Sequence, residues 1–378
     1  MLSPVSDSQG AMFSDQPAAI ATAIDTLLAG DFQDRWQVAK QFSEIGVAAL
    51  PALLELMQDE ALDWEVRWFV TRILGNFESS TAIEALIQLL LHSDDDDLRQ
   101  MAAAALAQIG VAAVTALAPL LQYPVQRPLV VQALARIPHR AVIPLLMQVV
   151  RDEQASVRAT AMAALGHFSQ PDLLPVLMMA LDDREATVRA EAVRGLGRWS
   201  ATQMQPAHIA RLAQGLTDVD DNVAQLTANT LGRLGTPPAI TALITALQGP
   251  PPPVHRQVAL VRSLMRCLTE GGLSCLMERW TTLALPAQAE IISGLNHLED
   301  RALQEQAAMT LCHYLRVGIV PAPLWPHLIL TLGYLRHPDA LPLLQQLLQD
   351  DDPRVRMHAS EALRQLNSQG SSSAPEAP

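Results

Sequence analysis

One pattern returns eleven times along the 378 residues, at intervals of roughly thirty-two: a Val-Arg pair, a small residue four positions on, then Leu-Gly or its equivalent. The clearest copies run Val66-Arg67 to Leu74-Gly75, Val157-Arg158 to Leu165-Gly166, Val188-Arg189 to Leu196-Gly197 and Val355-Arg356 to Leu363. A second apolar run follows each copy and carries proline near its start, as in Leu50-Pro51, Ile143-Pro144, Leu174-Pro175 and Leu341-Pro342. Proline is tolerated in the first turn of a helix, where its missing N–H would have had no intrahelical acceptor. Each unit therefore reads as two helices that can bury their apolar faces only against neighbouring units. The pattern predicts an all-α fold, an α-solenoid or superhelix of about eleven two-helix repeats.

Counted from the motif arginine, the apolar positions of the first helix lie one before it and three, seven and ten after it. In one copy these are Val157, Ala161, Leu165 and Phe168. At about a hundred degrees per residue they form one stripe. The arginine sits at the edge of that stripe, where its stem packs and its guanidinium can reach an acidic group of the adjacent unit. Arg35, Arg67, Arg99, Arg127, Arg158, Arg189 and Arg356 are thus expected to form a structural ladder of charge-assisted bonds. The position after the arginine faces away from the stripe and should be wet. Later repeats place Gln100, Ala159, Ala190, Gln225 or Met357 there, but the first two place Trp36 and Trp68. With Trp64 and Phe69 nearby, these rings make a candidate partner-binding patch. The competing reading is that Met1 to Asp31 folds back over them as a cap.

Hydrophobic residues make up 49% of the chain but aromatics only 4%, as a core of closely stacked helices requires. The net charge is -13, and Lys40 is the only lysine, so no basic stripe invites nucleic acid. Aspartates gather at the repeat junctions, at Asp94 to Asp97, Asp182 and Asp183, Asp218, Asp220 and Asp221, and Asp350 to Asp352. There they are expected to cap the following helix; a docking or cation site at Asp94 to Asp97 is the alternative. No apolar run is long enough to span a bilayer, and no signal peptide is evident, so membrane insertion is not expected and a cytoplasmic location follows. The reading divides the chain into a disordered segment 1–16, a single solenoid 17–367 that is irregular over about 235–335, and a disordered tail 368–378. In the irregular part Ala224 replaces the arginine, and Gly249-Pro250-Pro251-Pro252-Pro253 stiffens one junction.

The Val-Arg, Ala, Leu-Gly signature, the proline-led second helix and the junctional aspartate resemble the HEAT-like repeats of the phycobilin-lyase type, over about residues 31 to 366. That family holds chromophore lyases, phycobilisome-degradation factors and stand-alone protein-binding scaffolds. The run Trp64-Glu65-Val66-Arg67-Trp68-Phe69 is also similar to cyanobacterial HEAT-repeat proteins that accompany an A-type iron-sulfur carrier. The resemblance implies partners in cofactor or complex assembly, iron-sulfur or photosynthetic, and keeps a bilin as an alternative ligand. Arg194 and Arg198 beside Trp199 are the residues that would meet its propionates.

The residues themselves argue against catalysis. There is no phosphate loop, no Gly-x-Ser-x-Gly and no His-Glu-x-x-His, and a single lysine leaves little for Schiff-base chemistry. Cys267, Cys275 and Cys312 form no Cys-x-x-Cys pair, which fits a reducing compartment. Cys312 and His313 are adjacent and are the weak candidates for a metal; none is expected, and no cofactor. The reading is a non-catalytic scaffold that holds protein partners. A second copy of the chain is one such partner, and the second-helix face is a further surface, through Glu55, Gln58, Gln88, Gln148, Arg151, Gln248 and Gln346. The alternative is a lyase-like, chromophore-handling protein.

Overall fold

The structure, a computed structural model, describes residues 16–367. The segments expected to be disordered lie outside the described residues, except that Gln16 already opens a helix, Gln16–Ala29. Among the described residues there is no strand. Eleven motif helices follow in order: Phe32–Ile45, Trp64–Leu74, Asp96–Ile109, Arg127–Ala135, Ala155–Leu165, Ala186–Leu196, Asp221–Leu234, Val254–Arg266, Leu285–Leu295, Trp325–Leu335 and Pro353–Asn367. A second helix separates each from the next, from Leu50–Gln58 in the first repeat to Ala340–Leu347 in the tenth. Among the described residues the eleventh repeat is represented by its first helix, and Gln16–Ala29 packs on the first motif helix as an extra layer. The result is an α-solenoid.

The chain divides into two compact units, residues 1–173 and 174–378. Within each unit, motif helices contact the motif helices of adjacent repeats, and second helices contact second helices. A motif helix inside a unit thus has motif-helix neighbours on both flanks as well as second helices packed against it. Its buried arc is consequently wider than one stripe. In Trp64–Leu74 the buried residues are Val66, Phe69, Val70, Thr71, Ile73 and Leu74.

The Leu-Gly step has a packing cause. A Cβ on Gly232 would stand 2.6 Å from the carbonyl oxygen of Ser263 and 2.9 Å from its Cα, on the next motif helix. One on Gly333 would stand 2.7 Å from the Cα of Ala362. The glycine therefore sets how closely adjacent motif helices approach. Junctional aspartates cap as expected: Asp95 accepts from the N–H groups of Asp97 and Leu98 at 2.8 and 3.1 Å, Asp220 from Val223 at 3.0 Å, and Asp352 from Arg354 at 2.8 Å.

Candidate functional site

The motif arginines do two things. One is to close the turn that precedes their own helix, by donating to carbonyls that end the previous helix or start the turn. Arg35 donates to Leu27 and Leu28, Arg127 to Leu121, Arg158 to Asp152 and Glu153, Arg189 to Asp183 and Arg184, and Arg356 to Asp350 and Asp351. The other is the expected reach to a carboxylate of the next repeat. Arg35 makes it to Glu65, Arg127 to the buried Asp152, and Arg189 to Asp218 through two bonds of 2.7 and 2.6 Å. Burial pushes the Asp218 carboxyl up, but the Arg189 guanidinium and the Asp220 N–H outweigh it and hold it below the usual range.

Three expected rungs are missing. Arg99 turns back to Asp96 on its own helix, and neither Arg67 nor Arg356 finds a carboxylate among the described residues. In the irregular segment glutamine takes over the turn-closing task. Gln257 donates to Pro252 at 2.8 Å and accepts from the Ala284 N–H, Gln288 donates to Trp280 at 2.8 Å, and Gln304, on a second helix, donates to Leu298 at 2.6 Å. Gln257 and Gln288 sit at the arginine's position; the sequence held that signal in its register.

At the start of the first unit two helical rows run side by side on the outer face. Phe32, Trp36 and Lys40 are spaced four apart on one motif helix; Trp64, Trp68 and Arg72 are spaced four apart on the next, with Asn76 in the turn that follows it. Phe32 is 57% exposed and Trp64 46%, while Trp36 and Trp68 are half-buried. Phe32 stacks with Trp36, their ring centroids 6.1 Å apart. Phe69, expected on this patch, is fully buried, because it points toward the flanking motif helix; there it meets Phe32, Trp36 and Trp68 edge-on from below. The Arg72 guanidinium lies 4.4 Å over the Trp36 ring and 5.9 Å from that of Trp68. A shallow depression of about 440 Å³ is lined by Phe32, Gln33, Trp36 and Gln37. Around the same tryptophan, Lys40, Ser43, Arg72, Asn76 and Gln108 line a more polar hollow of about 180 Å³. The capping reading is met only in part: Gln16–Ala29 packs on the first motif helix, yet Phe32 and Trp64 stay exposed, and residues 1–15 lie outside the described residues.

The remaining candidates do not assemble into a site. Cys312 is buried and its thiol is pushed up to about 11 by desolvation, whereas His313 next to it is exposed. Adjacent helical residues point about a hundred degrees apart, so the two do not converge on one ion. Cys275 is buried too, and burial raises the thiols of Cys275 and Cys267. Among the described residues no group of three or more His, Cys, Asp or Glu is placed to hold a metal ion. Trp199 is 2% exposed and Arg194 pairs with Glu191, so the trio imagined for a bilin does not face one ligand. Ala190, expected to be wet, is buried by the flanking helix. The amide-rich set on the second helices, from Glu55 to Gln346, is exposed. In the second unit, where Ala224 replaces the arginine, an apolar groove of about 990 Å³ opens, lined by Ala210, Ala213, Thr241, Thr245 and Leu260 among others. Arg256 stands at its edge, paired with Asp221 at 2.5 Å. No helix among the described residues is long and apolar enough to cross a membrane.

A model of HEAT repeats matches residues 50–127, 116–197, 179–264 and 327–376. The unmatched stretch after residue 264 falls in the irregular segment. No curated protein matches the chain. Among solved structures, a chain of the Kap95p complex with RanGDP is similar at 15% identity and a TM-score of 0.61, over 93% of this chain and 55% of that one. This chain thus spans about half the length of that relative, and the likeness shows the fold alone. An engineered protein aligns over 92% of this chain and 99% of its own, at 18% identity and a TM-score of 0.38. The CpcE and CpcF complex of phycocyanin lyase from Nostoc sp. PCC7120 aligns over 61% and 93%, at 20% identity and 0.33.

Proposed function

We propose, from the premise that the chain belongs to the HEAT-repeat family, that it is a non-catalytic scaffold whose first two repeats anchor a protein partner. The observation that carries this reading is the aromatic row pair: Phe32, Trp36, Trp64 and Trp68 expose ring surface at neighbouring positions of two adjacent motif helices. Large rings that are already half-fixed by packing lose little freedom on binding, which makes them effective anchors. Buried cysteines with raised thiols support a structural rather than a nucleophilic role, and free cysteines suit a reducing cytosol.

The resemblances to phycobilin-lyase-type repeats and to HEAT chains that accompany an A-type iron-sulfur carrier make subunits of those assemblies the first partners to test. The experiment is co-purification of the tagged full chain from its own cells, beside a Phe32→Ser, Trp64→Ser variant that changes only exposed rings. One stoichiometric protein present with the parent chain and absent with the variant supports the reading. Retention of that protein by the variant refutes the site, and a visible bilin band in the eluate refutes the function in favour of chromophore handling.

A further inference from the structure

The rows that carry the aromatic rings end, one turn further on, in the cations Lys40 and Arg72. Neither cation makes an ion pair or a side-chain hydrogen bond among the described residues, in a chain of net charge -13. The same position of later repeats behaves differently. Arg194 is neutralised by Glu191, and Arg262 by Glu290 through bonds of 2.8 and 3.0 Å. Glu44 lies one turn beyond Lys40 and does not pair with it. The Arg72 guanidinium rests over the Trp36 ring, 4.4 Å from its centroid, and its N–H groups have no acceptor among the described residues. The Asn76 and Gln108 amides, joined at 2.5 Å, close the far side of the hollow.

We propose that this surface recognises an acidic, apolar segment of a partner protein: a bulky apolar side chain on Phe32 and Trp36, and an Asp or Glu carboxylate a few residues away, held by Arg72 and Lys40. Rigid forks of this kind bind carboxylates in a fixed geometry, and Lys40 adds a second charge. The partner's acidic side chain supplies the counter-charge that this chain withholds here and supplies in later repeats. The inference rests on the aromatic anchor proposed above and specifies the chemistry of what it takes.

The test pans a random dodecapeptide library displayed on phage against the full chain, and against a Lys40→Gln, Arg72→Gln variant whose helicity is checked by circular dichroism. The expected result is enrichment of Asp or Glu within four positions of Phe, Leu or Trp. A synthetic copy of the enriched peptide should bind the variant roughly tenfold more weakly or worse. An Arg72→Lys variant, which keeps charge and loses the fork, should fall between. No enrichment, enriched peptides without carboxylates, or equal binding to the variant overturns the proposal. Loss of the cellular partner in the Phe32→Ser, Trp64→Ser chain together with carboxylate-free peptides would refute this inference and leave the scaffold reading standing.

Discussion

Replacing Gly232 with alanine should destabilise the repeat around it, although alanine is the better helix former. The added methyl would sit 2.6, 2.8 and 2.9 Å from the carbonyl oxygen, Cβ and Cα of Ser263, where ordinary contact begins at 3.4 Å. Two of those atoms are backbone and cannot rotate aside, so the two motif helices must part by roughly half an ångström or more. Overpacking of that kind costs about 2–3 kcal/mol, against about 1 kcal/mol gained in helix propensity, for a net loss of about 1–2 kcal/mol. Gly271 is the control. It is exposed near the start of Glu270–Glu278 with nothing within 4 Å of its would-be Cβ, so Gly271→Ala should gain up to about 0.5–1 kcal/mol. A repeat array need not melt in one step, so the assay is amide hydrogen exchange read by mass spectrometry across Asp221–Leu234 and Val254–Arg266. Exchange there should quicken about five- to thirtyfold in Gly232→Ala. Protection equal to or greater than the parent's would refute the claim that helix approach explains the motif glycine.

Other outcomes follow from the same contacts. Arg189→Met leaves Asp218, about nine-tenths buried, without its guanidinium and should cost about 3 kcal/mol by denaturant titration at pH 7. Because the folded Asp218 carboxyl lies below its ordinary value, that contribution is complete above pH ~4 and fades as pH falls through the lower folded value; the gap between the parent and Asp218→Asn should therefore narrow in acid. Cys275 and Cys312 should stay unreactive toward a thiol reagent at pH 8 until guanidinium unfolds the chain. Acrylamide should quench Trp64, and Trp64→Phe should remove much of the quenchable emission, while Trp199 and Trp280, 2% and 1% exposed, stay dark to the quencher.

The repeat architecture was legible because it depends on spacing alone: a Val-Arg pair every thirty-odd residues can be counted without coordinates. What escaped was anything set by which neighbour a side chain meets. A helix wheel places Phe69 beside the exposed tryptophans because it knows one partner, whereas a motif helix in a stack has flanks and a floor. Arg99 and Arg127 share a motif position, but one turns back to Asp96 and the other reaches Asp152, because the next junction places an acid within reach of only one of them. The rows Phe32-Trp36-Lys40 and Trp64-Trp68-Arg72 were visible as i, i+4 spacings, yet the absence of counter-charges at Lys40 and Arg72 emerges only when the ion pairs of Arg194 and Arg262 are seen beside them.

The exchange of arginine for glutamine along the motif has a consequence for how the protein responds to its medium. The joints at Arg35, Arg127 and Arg189 are ionic, and added salt screens such bonds over a Debye length of about 8–10 Å. Those at Gln257 and Gln288 carry no charge and are indifferent to it. A rise in ionic strength should therefore weaken the turn-closing joints at Arg35, Arg127 and Arg189 and leave those at Gln257 and Gln288 unchanged, so that in the glutamine repeats salt acts on the pairs between motif helices, Arg256 with Asp221 and Arg262 with Glu290, and not on the turns themselves.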